Sequence, residues 1–189
     1  MICPICNTEQ PKERRCIKCG SLERHRLYYL FFEQELPDNI KFLHIAPSRC
    51  IRKYLQNRNV DYHSIDLERA DIQSKQDITK LAFKDGVFDY ILCSHVLEHI
   101  KDEQLALLEI YRILKKDGKA ILQVPLNATL KSFEFDKPDG MGHVRQYGYD
   151  YYFKLDKAGF DVKINGFGKW QDLEKYNLKG ENLYICRKV

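Results

Sequence analysis

The sequence of 189 residues predicts an α/β protein with a doubly wound, mostly parallel sheet behind a small cysteine-rich segment. From residue 41 onward, apolar runs of strand length alternate with helical patterns, an order that builds parallel strands with helices on both faces. Two Cys-x2-Cys pairs precede that alternation, within the first twenty residues. The length suits one such domain with a short appendage, so we divide the chain into a segment 1–21 and a body 22–189.

Composition narrows the class of protein. The longest apolar run, at residues 27–32, is far shorter than the roughly 20 residues of a membrane-spanning helix, and the first residues do not resemble a secretory signal. Seven cysteines in such a chain favour metal ligation over a disulfide framework. We therefore expect a soluble, cytoplasmic protein with reduced thiols and no membrane partner. The net charge of +4 does not decide between a nucleic-acid and a small-molecule partner, and the oligomeric state stays open.

The four N-terminal cysteines have the spacing of a metal site. They form the pattern Cys-x2-Cys-x9-Cys-x2-Cys, in which both thiolates of each pair can reach one tetrahedral ion. Four protein ligands leave no open coordination position, so the pattern predicts structural Zn²⁺ in a knuckle, with iron in the same cage as the alternative. Gly20, directly after the second pair, suits a backbone position with positive φ. The predicted ligands are Cys3, Cys6, Cys16 and Cys19.

The body is predicted element by element. Ser21 can cap a first helix at 22–36, which Pro37 ends, and Asp102 can cap a later helix that Gly118 ends. Only about ten residues separate Asp66 from Asp77, too few for a crossover helix and a strand, so this side of the sheet should be reduced. Strands are predicted at 41–46, 60–66, 88–94, 120–124, 161–165 and 182–187, and further helices at 48–57, 102–116 and 149–158.

Polar residues follow the predicted strands. Ligands of doubly wound sheets bind at the carboxyl ends of the strands, near the point where the strand order reverses. Asp66 ends the second strand, 20 residues after Ala46, a spacing at which a carboxylate can accept hydrogen bonds from a ribose diol. Asp77 follows a short third segment, and Ser94 and His95 end the strand at 88–94. We expect a ligand site at this edge.

Two segments resemble a known family. Residues 88–100, with Leu-Glu-His at 97–99, and residues 114–125 are similar to class I S-adenosylmethionine-dependent methyltransferases of the group with that motif after the fourth strand. The resemblance extends over about residues 41–125 and implies a Rossmann-like sheet of about seven strands, here with reduced helices. It also implies S-adenosylmethionine as the cofactor.

The resemblance implies a role for each polar residue at the strand ends. Asp66 would bind the ribose hydroxyls of the cofactor, and Asp77 would accept a hydrogen bond from the exocyclic amine of the adenine. Leu67 and Ile78 would pack on the adenine ring. The residues that would border the methionine part are Ser94 and His95.

The first loop departs from the family pattern. In that pattern an acidic residue is followed by three glycines at alternate positions. This chain has no glycine between Gly20 and Gly86. His44 replaces the acid that usually reaches the methionine amino group. Small side chains in the loop still permit close approach of the backbone to the cofactor, and Ser48 can cap the next helix. Ala46, Ser48 and Cys50 stand at the three glycine positions, with Pro47 between the first two.

The connection at residues 126–148 is the expected place for the methyl acceptor, because it is long and rich in polar and aromatic residues. We nominate His143 as general base, Arg145 as the group that orients or neutralises an anionic acceptor, and Tyr147 as a wall of the pocket. The alternative is that His143 and Arg145 only hold the loop against the sheet.

The sequence thus predicts a zinc-containing methyltransferase that acts on an unidentified nucleophile, either a small molecule or a nucleic acid. A competing hypothesis is a non-catalytic zinc-knuckle module that binds RNA or protein and whose Rossmann-like body has lost its cofactor affinity. The basic residues around the knuckle, Arg14, Arg15 and Lys18, fit both hypotheses, since they can contact a polyanion or simply offset the charge of the thiolates.

Overall fold

The computed structural model describes residues 2–9, 14–166, 174–176, 178 and 182–189. The helices that cover the sheet are α1 Glu23–Glu35, α2 Arg49–Gln56, α3 Glu103–Ile113 and α4 Tyr151–Lys157. The first five strands are β1 Lys41–Ile45, β2 Asp61–Asp66, β3 Ser74–Lys75, β4 Phe88–Ser94 and β5 Leu114–Gln123. The others are β6 Phe133–Glu134, β7 Arg145–Gln146, β8 Phe160–Gly166 and β9 Asn182–Lys188. A 3-10 turn, Leu97–His99, follows β4.

Seven strands form one sheet in the order β3-β2-β1-β4-β5-β9-β8. The pairs from β3 to β5 are parallel, and only β9 runs against its neighbours. The predicted Rossmann-like, mostly parallel sheet is confirmed. The strand order reverses between β1 and β4, because the chain builds β1 to β3 in one direction and then returns to the other side of β1. The carboxyl ends of β1 and β4 therefore flank the crevice in which this type of sheet binds ligands.

Two apolar layers cover the sheet. Strand β1 alternates between them: Leu43 and Ile45 belong to the core that includes α3 and α4, whereas Phe42 belongs to the core that includes α1 and α2. Ile5 and Cys19 of the N-terminal segment pack against the second core. The cysteine-rich segment is thus attached to the face of the sheet that α1 covers.

The side of the sheet beyond β2 is reduced, as predicted. The two-residue β3 pairs with the end of β2, and the connection between them contains no helix. Gln73 compensates in part, since its Oε1 accepts from the Ser64 backbone N–H at 2.6 Å and its Nε2 donates to the Tyr62 carbonyl at 3.0 Å. A side chain thereby replaces part of the missing strand ladder.

The first helix begins differently from the prediction. Leu22, not Ser21, occupies the N-cap of α1, and the Leu22 backbone N–H donates to Nδ1 of His25 at 3.2 Å. The Ser21 hydroxyl is engaged elsewhere, 3.2 Å from Cys19 Sγ and 3.4 Å from Cys3 Sγ. The predicted Ser21 cap is therefore wrong, because the sulfur cluster holds that hydroxyl.

The end of the third helix also differs. Helix α3 stops at Ile113, and Leu114 already pairs with Phe88 of β4, so Gly118 lies inside β5 and is not a helix cap. Asp117, not Gly118, has the positive φ of 63°. A Cβ on Gly118 would lie 2.9 Å from the Lys115 carbonyl oxygen, so the glycine is needed for close packing of backbone in an irregular strand. The predicted Asp102 cap is confirmed by its bond to the Leu105 N–H at 3.2 Å.

The long connection before α4 folds back onto the sheet. Strands β6 and β7 pair antiparallel, and the Val144 N–H donates to the Glu98 carbonyl at 2.8 Å, so the connection lies against the turn that follows β4. Within the described ranges, no helix has both the length and the apolar character needed to cross a bilayer.

Candidate functional site

The first loop makes a left-handed turn without glycine. Ala46, directly after β1, has a φ of +49°, and its N–H donates to the Ile65 carbonyl at 2.9 Å. Ala46 therefore has the backbone conformation for which glycine is the usual residue, and its methyl group adds little bulk. Ser48 occupies the N-cap of α2, as predicted, although its side chain makes no capping hydrogen bond.

Asp66 lies at the end of β2, beside this loop. Its Oδ1 accepts from the backbone N–H groups of Glu68 at 3.0 Å and Arg69 at 3.2 Å, which fixes the direction of the carboxylate. The Arg69 guanidinium donates to the Pro47 carbonyl at 2.6 Å and so connects the two loops. Asp77 is fixed in the same manner by Thr79, whose backbone N–H and hydroxyl keep the pKa of the Asp77 carboxyl below its usual value.

The two apolar residues expected against an adenine have different environments. Leu67 is 61% exposed directly after β2, which is unusual for a large apolar side chain beside two aspartates. Ile78 is buried and belongs to the core against α3 and α4. Leu67 therefore presents an uncovered apolar surface, whereas the Ile78 side chain is enclosed in the core.

His44 and Ser94 stand at the carboxyl ends of the two central strands. His44 is buried, its Nδ1 lies 3.2 Å from the Tyr62 hydroxyl, and burial lowers the pKa of the imidazole to about 3. Ser94 Oγ lies 2.8 Å from the hydroxyl of Tyr28 in α1. Gln123, the neighbour of Ser94 in β5, has a buried Oε1 for which the described residues offer no hydrogen-bond partner.

Three histidines and one carboxylate gather just beyond β4. His95 has a φ of +56°, and its Nδ1 lies 3.2 Å from Oε1 of Glu98, whose side chain is buried. The rings of His99 and His143 lie 4.8 Å apart between centroids. The 3-10 turn and the long connection therefore bring together residues that are more than forty positions apart in the chain.

Arg145 and Tyr147 are buried behind this group. The Arg145 guanidinium donates to the carbonyls of Leu97 at 2.9 Å, Lys101 at 2.8 Å and Ile100, all in or next to the 3-10 turn. Tyr147 donates to Oε2 of the buried Glu103 at 2.5 Å, and burial is the main reason why the pKa of the phenol is raised. These contacts fix the connection at residues 126–148 to the 3-10 turn. His143 belongs to the same connection, two residues before Arg145.

Comparison with known proteins shows what this chain is similar to. Residues 42–122 match the family model of a methyltransferase domain. The fold is that of class I methyltransferases. A local match to the demethylmenaquinone methyltransferase of Streptomyces avermitilis is 41% identical over 46 residues and covers 24% of this chain. The aligned segments span only 21% and 20% of the lengths of the curated relatives that match.

Solved structures agree on the fold. A methyltransferase of Archaeoglobus fulgidus described as dependent on S-adenosylmethionine has a TM-score of 0.63 at 17% identity, over 89% of this chain and 95% of that one. The [4+2]-cyclase SpnF has a TM-score of 0.65 at 17% identity, over 87% of this chain and 80% of that one. Because one of these two neighbours is named as a cyclase, the shared fold does not by itself define the reaction.

The four predicted cysteine ligands form one cluster. Their sulfur atoms all lie within 4.8 Å of one another, with Cys3 to Cys19 at 3.7 Å and Cys6 to Cys16 at 3.6 Å. Four sulfurs at about 2.3 Å from a central Zn²⁺ would lie about 3.8 Å apart, so the cage has the dimensions of a tetrahedral site. The predicted positive φ of Gly20 is confirmed at +70°. Asn7, in the equivalent position after the first pair, has +57°.

Sequence reasoning gave no definite role to two residues of the site. Glu98 lies within the Leu-Glu-His motif, but its complete burial follows from the turn and gives no local sequence signal. Arg69, which connects the first loop to the end of β2, belongs to no recognisable motif. An acid next to histidine in a motif after a strand is the signal that could have identified Glu98.

Proposed function

We propose that the chain is an S-adenosylmethionine-dependent methyltransferase. The observation that carries the proposal is the methyltransferase-domain match over residues 42–122, which includes the left-handed turn at Ala46 and the carboxylate of Asp66 at the crevice. When bound, S-adenosylmethionine supplies an electrophilic methyl group. This chain would position an acceptor in line with that methyl and remove the acceptor's proton where necessary.

The residues at the strand ends fit such a cofactor. Asp66 has one oxygen fixed by backbone N–H groups, and within the described part of the chain the other accepts no hydrogen bond, so it is available to ribose hydroxyls. Leu67 offers apolar surface for an adenine, with Asp77 as acceptor for its amine. The buried Oε1 of Gln123 and the region around Ser94 and His95 suit the amino-acid end.

Three residues would mainly stabilise the shape of the cofactor site: His44, Pro47 and Ile78. His44 is held neutral by burial, so it is not a charged substitute for the family's acid. The Pro47 carbonyl is bound by Arg69, and Ile78 lies in the core. Ala46 and Ser48 would approach the cofactor through backbone groups.

On the acceptor side, His143 is the proposed general base. Its Nδ1 lies 3.0 Å from Asp139 Oδ2, and a carboxylate in this position orients an imidazole so that Nδ1 carries the proton and Nε2 keeps the lone pair. Arg145 and Tyr147 are proposed as positioning residues, because their polar groups are already bound to the turn and to Glu103. The acceptor is a small molecule or a nucleic acid.

We further propose that the cysteine cluster is a structural zinc site and that segment 1–21 is a unit of its own. The sulfur separations fit a tetrahedral ion, and four protein ligands leave no position for substrate. Metal analysis of the purified protein distinguishes Zn²⁺ from iron, the alternative in the same cage.

Calorimetry with S-adenosylhomocysteine tests the methyltransferase proposal. We expect binding to the folded, zinc-loaded chain, a clear loss of affinity for Asp66→Ala, and no change for Asp61→Ala. Asp61 is the matched control because it is an exposed carboxylate at the opposite end of β2. No heat of binding at millimolar ligand would refute the proposal and would instead favour a non-catalytic binding module.

A further inference from the structure

Glu98, His99 and His143 converge on one point beside the crevice. One potential ligand atom from each lies within 4.8 Å of the others, the only such group in the described ranges besides the four cysteines. Two backbone features build it: the 3-10 turn places Glu98 next to His99, and the Val144 N–H bond to the Glu98 carbonyl fixes the neighbouring His143 above them. The arrangement is therefore part of the fold and does not depend on flexible surface side chains alone.

The carboxylate of this group lacks hydrogen bonds. Glu98 is 0% exposed, and neither of its side-chain oxygens has a hydrogen-bond partner among the residues that the structure describes. His95 approaches Oε1 to 3.2 Å, but in a direction that does not form a hydrogen bond. A buried carboxylate without donors is costly, and buried charges are normally paired or coordinate metals. Glu98 is therefore aimed into a position where a cation would stabilise it.

Both imidazoles are oriented as metal ligands usually are. Nδ1 of His99 lies 3.1 Å from the Gly142 carbonyl oxygen, which only accepts, so Nδ1 carries the proton. Nδ1 of His143 faces the Asp139 carboxylate at 3.0 Å and is likewise the donor. In neutral imidazoles this leaves the lone pair on Nε2. A ligating histidine typically donates its other N–H to a carbonyl or a carboxylate, the two partners found here.

We propose that Glu98, His99 and His143 bind a divalent first-row transition-metal ion. One carboxylate and two imidazoles are a borderline set that suits Mn²⁺, Fe²⁺, Co²⁺ or Zn²⁺, and three protein ligands leave open positions. Arg145 would support the site indirectly, since its bonds to the carbonyls of Leu97 and Ile100 hold the turn. This site is separate from the cysteine cage, which offers only sulfur.

The metal site has a consequence for the acceptor, and this consequence rests on the proposed methyltransferase function. An imidazole whose free nitrogen binds a metal cannot accept a proton, so His143 would be a ligand in the metal-loaded protein and not the base. The ion would instead lower the pKa of a hydroxyl that coordinates it, as metals do for bound water. An oxygen acceptor, such as an alcohol, is then the expected substrate class.

Titration with Mn²⁺ alone tests the site. The 189-residue chain is first loaded with one equivalent of Zn²⁺, which four thiolates hold far better than a carboxylate and two imidazoles do, and loosely bound Zn²⁺ is removed. The cysteine cage then does not take up the probe, and the Glu98 site stays open to Mn²⁺. The decrease of the free Mn²⁺ signal in electron paramagnetic resonance then reports binding. We expect one Mn²⁺ per chain and loss of binding in His99→Ala, His143→Ala and Glu98→Gln. Asp139→Asn should weaken binding about 10- to 100-fold.

His63→Ala is the matched control, because His63 is a partly exposed histidine in β2, outside the cluster. Binding by His63→Ala should equal that of the unaltered chain. Failure of the unaltered chain to bind Mn²⁺ at millimolar concentration would overturn the proposal, and so would unaltered binding by both His99→Ala and His143→Ala. His99 is exposed, so His99→Ala stays informative even where Glu98→Gln does not fold.

The same proteins separate this inference from the proposed function. S-adenosylhomocysteine binding is measured on each variant beside Mn²⁺ binding. Mn²⁺ binding without S-adenosylhomocysteine binding would refute the methyltransferase proposal and leave the metal site standing. S-adenosylhomocysteine binding without Mn²⁺ binding would refute the metal site and leave His143 as the candidate base.

Discussion

Replacement of Arg145 by methionine should destabilise the fold strongly. The guanidinium side chain is 2% exposed and donates to three carbonyls that belong to the turn after β4 or follow it. Methionine fills a similar volume but donates no hydrogen bond, so Arg145→Met removes these bonds without opening a large cavity. The change therefore isolates the polar contribution of Arg145 to the position of the turn.

The size of the expected loss in unfolding free energy follows from the three carbonyls that Arg145 binds. An unsatisfied buried acceptor costs about 1–3 kcal/mol, which gives an upper limit near 9 kcal/mol for three. Water can reach the carbonyls of Ile100 and Lys101, which are not fully enclosed, so we expect a loss of about 3–5 kcal/mol in the free energy of unfolding. Glu103 does not add to the loss, because it retains Lys154 and Tyr147 as partners.

Urea unfolding followed by far-ultraviolet circular dichroism measures this loss as a lower transition midpoint with an unchanged slope. Arg145→Lys keeps the charge and at least one donor, so its loss should be smaller. Arg187→Met is the control, since Arg187 makes an exposed ion pair with Asp117, and we expect no measurable change. A loss below about 1 kcal/mol for Arg145→Met would show that these contacts do not hold the turn.

Three further predictions use the same unfolding and binding measurements. Ala46→Gly should raise stability by up to about 1 kcal/mol, because a left-handed φ is unfavourable for alanine, and a loss would contradict that backbone geometry. The pKa of His44 is lowered by burial to about 3 from 6.5, so stability is full above pH 6.5 and falls as the pH drops towards 3. At pH 5 the difference is roughly 2 kcal/mol, and His44→Gln should remove it. Since His25 has a similarly lowered pKa, the variant keeps part of the acid sensitivity, and an unchanged pH profile would refute the assignment to His44. Cys16→Ser should abolish zinc binding, measured with a chromogenic chelator, and weaken S-adenosylhomocysteine binding; full affinity without zinc would contradict the coupling.

The central strands of this chain are predictable because parallel strands there are buried on both faces and therefore appear as short apolar runs. The run at residues 88–94 predicted β4 with its observed bounds, Phe88–Ser94. The end of α3 was not predictable in the same manner. Its periodic apolar residues continue to Leu114, but that residue pairs with Phe88, and a contact between distant parts of the chain overrides local helix propensity.

The residues of the candidate site also differ in how well the sequence predicts them. The positions of Asp66 and Asp77 are predictable from the ends of the strands, because the carboxyl ends of parallel strands share one edge of the sheet. Glu98 and His143 lie in different elements, and only the fold shows that a backbone hydrogen bond brings their segments together. Likewise, no periodicity indicates that Ser21 contacts sulfur and does not cap α1.

The N-terminal segment and the crevice are connected through α1. Ser21 lies against two sulfur atoms of the cysteine cluster, and α1 begins two residues later at Glu23. Tyr28 of that helix reaches Ser94 at the end of β4, so α1 covers one edge of the crevice. The opposite edge has no helix between β2 and β3 and leaves Leu67 exposed. Loss of the proposed zinc ion would free the start of α1, and with it the wall at Ser94, while the edge at Asp66 stays intact. Zinc removal should therefore affect the part of the ligand near Ser94 more than an adenosine moiety, and comparing S-adenosylhomocysteine with adenosine in the Cys16→Ser variant separates the two edges.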